Sequence, residues 1–135
     1  MRLVRESFES LRDYETSVVL LFYGRLFEIA PETRGLFKID IHEQATKLME
    51  TLRITVEALD RFEELVPVLA DLGRKHGTHG VQAYQYEKLR SALLWAMGQA
   101  LGLEFDLETR AAWDRLIVAI SVVMQEAAAQ SAADH

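Results

Sequence analysis

Apolar residues recur at helical spacing through almost the whole chain, and this periodicity limits the fold more than any other feature. A modest first helix spans residues 2–15. Val19, Phe22, Tyr23, Leu26 and Ala30 then follow an i, i+3, i+4, i+7, i+11 pattern that Pro31 ends. Proline is tolerated at a first helical position, so Pro31 also opens a short turn running to about Phe37. Ile41, Ala45, Leu48, Met49, Leu52, Val56 and Leu59 form the next stripe. Leu65, Val68, Leu69, Leu72 and His76 form another, with its regular part starting near Pro67 and its end at Gly77 and Gly80. From Val81, the residues Tyr84, Leu89, Leu93, Met97 and Leu101 run to Gly102. Asp106 is placed as the N-cap of a last helix carrying Trp113, Leu116, Ile117, Ile120, Val123 and Met124.

Strand signals are scarce: there is no Asn-Gly or Asp-Gly pair, and only two prolines interrupt the chain. The expectation is one all-α domain over residues 1–135 with six or seven helices, the Ala-rich stretch 127–135 fraying. The unequal helix lengths and the short proline-started turn favour crossed packing over an up-and-down four-helix bundle.

Charge and composition remove several functions. A net charge of −6 with no Lys/Arg-rich run argues against nucleic acid as a partner. With no cysteine there can be no disulfide, Cys-type zinc site, iron–sulfur cluster or thiol nucleophile, and a reducing compartment suits the chain. The charged start lacks the apolar core of a signal peptide. The longest apolar stretch, Leu116 to Met124, is half of what a membrane helix needs, so no membrane insertion and a cytoplasmic location are expected. No phosphate-binding loop, Glu-x-x-His pair or defensible Ser/His/Asp arrangement is present, and His76 with His79 finds no third metal ligand.

Three polar residues interrupt otherwise apolar faces. His76 closes a stripe, four residues after Leu72, where a buried imidazole needs a partner or a metal. Taken alone, a satisfied core histidine is the commoner reading of such a position. Tyr23 sits among Phe22, Leu26 and Phe27, where a tyrosine ordinarily pins a backbone carbonyl. Gln44 lies four residues before Leu48 on the same face, and the polarity of a helix start explains it as well as a ligand does.

The order and spacing of four segments resolve these readings by resemblance. Phe22-Tyr23-Gly24-Arg25-Leu26-Phe27 followed by Pro31 and Leu36-Phe37, then Gln44-Ala45-Thr46-Lys47-Leu48-Met49, then Asp71-Leu72-Gly73-Arg74-Lys75-His76 with Gly80-Val81, and finally Trp113, resemble the bacterial single-domain haemoglobins. These are stand-alone relatives of the flavohaemoglobin haem domain, and the pattern is similar to the Hell's Gate globin type. The resemblance implies a globin fold around haem b. It implies His76 as proximal iron ligand, with Phe37 against the haem face and Val81 at the porphyrin edge. Tyr23, Gln44 and Leu48 would line the distal, gas-binding side, and Lys47 would pair with a propionate. Tyr86 matches the family's proximal tyrosine. The glutamate that flavohaemoglobins carry on the last helix aligns near Ala128, with Glu126 about 200° away round the helix. That departure weakens the case for strong electron push on the iron. His42, two residues before Gln44, should point away, which disfavours coordination by two histidines.

A ligating imidazole needs its second nitrogen's proton fixed, and the Leu72 carbonyl near the helix end is the nearest candidate. Bound dioxygen takes on partial negative charge, so the tyrosine hydroxyl and the glutamine amide both suit it as donors, whereas carbon monoxide gains less. The functions that follow are reversible binding of dioxygen, carbon monoxide or nitric oxide at a five-coordinate ferrous iron, for oxygen storage, delivery or scavenging. A nitric oxide dioxygenase served by a separate reductase, and a gas sensor, are the alternatives. A monomer or weak homodimer is expected.

Overall fold

A computed structural model describes residues 2–36, 41–78 and 81–133. Among these residues all regular structure is helical: α1 (Arg2–Arg12), α2 (Glu15–Ile29), α3 (Ile41–Glu57), α4 (Phe62–Thr78), α5 (Ala83–Leu101) and α6 (Leu107–Ala133). Short 3-10 turns cover Pro31–Leu36, Leu59–Arg61 and Gly102–Glu104. The all-α reading and the stripes therefore correspond to real elements.

Most of the described stripe positions are buried or half-buried, but Val68 of α4 and Tyr84 of α5, expected in their stripes, are exposed at 56% and 55%. Val4, Phe8 and Leu11 of α1 and Val18, Val19, Phe22, Tyr23 and Leu26 of α2 enter one core with Trp113, the largest fully buried side chain. α2 packs on α5, and α4 packs on α6. The Trp113 indole N–H donates to Ser7 Oγ at 2.8 Å, and that hydroxyl in turn donates to the Leu3 carbonyl at 2.6 Å. A polar chain thus ties α6 to α1 without leaving a buried donor unmet.

Local chemistry sets the helix ends. Pro31 starts the first 3-10 turn, and Thr33 Oγ1 donates to the Ala30 carbonyl at 2.6 Å. Gln82 and Gln85 form a reciprocal capping box at the start of α5, with the Gln82 N–H 2.7 Å from Gln85 Oε1. α5 closes at Gly102, whose φ of 59° lies in the left-handed region that only glycine adopts cheaply. The Thr109 N–H donates to Asp106 Oδ1 at 2.8 Å, which is the cap expected for the last helix.

Four boundaries differ from the expectation. The first helix stops at Arg12, because a turn at Asp13 and Tyr14, with the Tyr14 N–H on the Leu11 carbonyl at 2.9 Å, redirects the chain into α2. α4 begins five residues before Pro67 and runs through it. A proline there forfeits one early hydrogen bond, to Glu63, on an exposed face where water can satisfy the carbonyl. α4 also continues past Gly77 to Thr78, so that glycine is a helix residue rather than a stop. Finally, α6 reaches Ala133 through the stretch expected to fray, with Ala127 buried. Alanine is the strongest helix former, and a buried anchor gives the extra turns a reason to stay wound.

Candidate functional site

The site is built between α3 and α4. These two helices do not pack on each other extensively among the described residues; their facing sides leave a cleft of about 170 Å³. Its walls are Thr51, Ile54 and Thr55 from α3 and Leu65, Val68, Leu69 and Leu72 from α4, with Asp71 and Lys75 at the rim. Lys75 Nζ is 3.2 Å from Asp71 Oδ2, an exposed pair one helical turn apart. The α4 wall ends one residue short of His76, and the α3 wall one turn short of Leu48.

His76 is half-buried near the C-terminal end of α4, and its Nδ1 atom lies out of contact with solvent. Its ring faces that of Tyr86 on α5, with centroids 6.4 Å apart at 48°. Among the described residues, the bond expected from Nδ1 to the Leu72 carbonyl is not made. The Tyr86 hydroxyl is buried with no hydrogen-bond partner among the described residues, and burial pushes its pKa up. A donor kept protonated and buried without an acceptor carries a desolvation cost that needs a reason. Leu69, Leu72, Val81, Tyr86 and Met124 pack as one cluster around this end of α4. The turn after the helix is held by the Val81 N–H on the His76 carbonyl at 3.0 Å.

Tyr23, which is not part of the cleft lining, is buried in α2 with its ring against Phe22, centroids 4.9 Å apart, and Phe27, at 5.9 Å. Leu48 of α3 packs against the same core. Burial pushes the Tyr23 hydroxyl up to about 12, so it keeps its proton throughout the physiological range. Lys47 is exposed on α3, one turn before Thr51. Of the remaining expected site residues, Phe37 lies outside the described residues, as do His79 and the side chain of Gln44, although the Gln44 backbone belongs to the first turn of α3.

Two features escaped the sequence reading. Thr51 and the Asp71–Lys75 pair line the cleft; Thr51 was legible as the position three residues beyond Leu48 on the same face. The second is the contact behind His76, where Gly77 lies against Ala128 of α6. Ala128, near which the resemblance aligns the flavohaemoglobin carboxylate, is thus the residue against Gly77, while Glu126 is exposed.

Comparison with known proteins agrees with this geometry. The globin family model matches residues 20–124. The chain is 28% identical to a neuroglobin of Chaenocephalus aceratus, covering 98% of this chain and 92% of that protein. It is 31% identical to an anaerobic nitrite reductase of Arabidopsis thaliana, covering 92% of this chain and 90% of the relative. Among solved structures, an engineered carbene transferase, a nitric oxide dioxygenase-like protein of Rhodothermus marinus, superposes with a TM-score of 0.88 at 26% identity, covering 98% and 92% of the two chains. The chain belongs to the globin family.

Globins carry haem b and bind diatomic gases reversibly. The residues present suit that group. Imidazole is a fitting ligand for iron, the cleft that ends one residue short of His76 is lined mostly by aliphatic side chains, as a porphyrin face requires, and the ring of Tyr86 lies against that of His76.

Proposed function

We propose that this globin holds haem through His76 and retains dioxygen beside Tyr23, in the manner of the single-domain bacterial haemoglobins of the Hell's Gate type. The observation that carries the proposal is the half-buried imidazole of His76 against the ring of Tyr86, at the end of a cleft with mostly aliphatic walls. The haem supplies a ferrous iron to which a gas binds reversibly; the chain decides which gas stays. Leu72 and Val81 exclude water on the proximal side and Leu48 on the distal side. Tyr23 presents a neutral hydroxyl that donates a hydrogen bond to the gas. By the resemblance, Gln44 would add a second donor, Phe37 would pack on the haem face and Lys47 would pair with a propionate. The domain is the whole of residues 1–135, working in the cytoplasm as an oxygen store, carrier or scavenger. No helix among the described residues is long and apolar enough to cross a membrane.

Nitric oxide dioxygenation is the second reading, favoured by the likeness to the Rhodothermus marinus protein and by the Tyr23 donor. One dioxygen, one nitric oxide and one electron make one nitrate, so turnover requires a separate reductase. Ala128, near which the resemblance aligns the flavohaemoglobin carboxylate, points to oxygen retention as the primary role. Titration of the purified protein with haem tests the assignment. Wild type should bind one equivalent with a Soret band, and His76→Ala should bind it at least about tenfold more weakly, as when a stabilising contact of typical metal-ligand strength is lost. Equal haem affinity in the two proteins would remove His76 from its role.

A further inference from the structure

Gly73 is buried in α4, three residues before His76. A Cβ built on it would stand 2.2 Å from the Met124 carbonyl oxygen, 2.5 Å from Met124 Cα and 2.7 Å from the Met124 carbonyl carbon. All three are backbone atoms of α6, so no change of side-chain rotamer relieves the overlap. One turn later, a Cβ on Gly77 would meet the Ala128 Cβ at 3.2 Å, tighter than an ordinary van der Waals contact. Gly24, inside α2, is different: a Cβ there would have nothing within 4 Å. Glycine is the poorest helix former after proline, so two within α4 call for a packing reason. That reason is the backbone of α6, on which α4 rests more closely than any side chain permits.

His76 lies about 60° round the helix from Gly73 and about 100° from Gly77, so it flanks the glycine track instead of pointing into it. Lifting α4 off α6 would therefore slide the imidazole sideways along the cleft. We propose that Gly73 and Gly77, seated on Met124 and Ala128, are positioning residues that fix the lateral placement of the His76 imidazole toward the haem iron. The inference rests on the reading of His76 as the iron's ligand. A close-packed interior shifts as a unit when a methyl group is forced in, and the displacement passes directly to the next turn of the same helix.

The test uses haem-loaded ferrous protein without gas. The iron–histidine stretching frequency is read by resonance Raman, and the rate of haem loss is read by transfer to an acceptor globin. Gly73→Ala should lower the frequency and speed haem loss about tenfold, the scale of an overpacked core. Gly77→Ala should shift both in the same direction by less, and adding Ala128→Gly, which removes the opposing methyl group, should restore both. Gly24→Ala should leave both at wild-type values. A frequency unmoved in both alanine variants, whatever happens to their thermal midpoints, overturns the proposal, as does a shift in Gly77→Ala that Ala128→Gly fails to reverse. Should Gly73→Ala not fold, the Gly77 and Ala128 pair decides alone. Absence of an iron–histidine band in wild type overturns the ligand reading, and the seat with it, so the two failures are told apart.

Discussion

Replacing Tyr23 by phenylalanine isolates one atom of the proposed gas site. The ring stays wedged between Phe22 and Phe27, with centroids 4.9 and 5.9 Å away in the native protein, so packing is preserved and only the hydroxyl goes. That hydroxyl is 5% exposed as part of its residue and holds its proton to about pH 12. Its hydrogen bond to a partly anionic ligand is therefore neither diluted by water nor lost by ionisation. Bonds to charged acceptors contribute about 1.5–3 kcal/mol, which corresponds to dioxygen leaving about ten- to a hundredfold faster from Tyr23→Phe. Carbon monoxide draws much less charge, and its dissociation should change less than about threefold. Stopped-flow displacement of each gas from wild type and variant measures both rates. Equal acceleration of the two gases would refute the hydrogen-bond argument and leave cavity shape as the cause.

Other consequences are open to measurement. Ser7→Ala should strand the buried Trp113 N–H and lower stability by about 1–3 kcal/mol in denaturant unfolding of the haem-free protein; an unchanged midpoint would mean that the indole finds another acceptor. Asp106→Ala should cost about 1 kcal/mol through loss of the α6 cap, and Asp106→Asn should recover most of it. The folded-state pKa of Tyr23 is raised from 10.0 to about 12, so the folded protein holds that proton more tightly than the unfolded chain does. Its contribution to stability is complete below pH 10 and is lost as the pH rises through 12, with Tyr86 acting in the same direction. Tyr23→Phe should flatten the alkaline fall in unfolding free energy, and an identical slope in the variant would contradict the assignment.

The helices were legible because their cores are: the stripes ending at Ala30, Leu101 and Met124 each require a period near 3.6 and nothing else fits them. Pro31 and Asp106 were legible for a similar reason, since proline geometry and a carboxylate cap act within three or four residues of chain. Pro67 and Gly77 misled because their usual meaning is local while their meaning here depends on surroundings. Pro67 faces solvent, where a lost hydrogen bond costs little, and Gly77 serves the approach of α6, which is far away in sequence. The same holds for the site. His76 and Tyr23 stood out as polar interruptions of apolar faces, but no spacing rule joined them; only the resemblance gave them a shared purpose. The Gly73–Met124 contact is a tertiary fact between residues 51 positions apart, and one-dimensional patterning carries no trace of it.

Haem iron held by the His76 imidazole, with a position left open to gas near Tyr23, is the central proposal. Absorption spectra of the purified ferric, ferrous and gas-treated protein examine that in one experiment. A broad five-coordinate ferrous Soret band that sharpens and shifts when dioxygen or carbon monoxide is admitted is the expected result. A protein that stays colourless after exposure to haem, or a ferrous spectrum already six-coordinate and indifferent to carbon monoxide, would contradict the proposal.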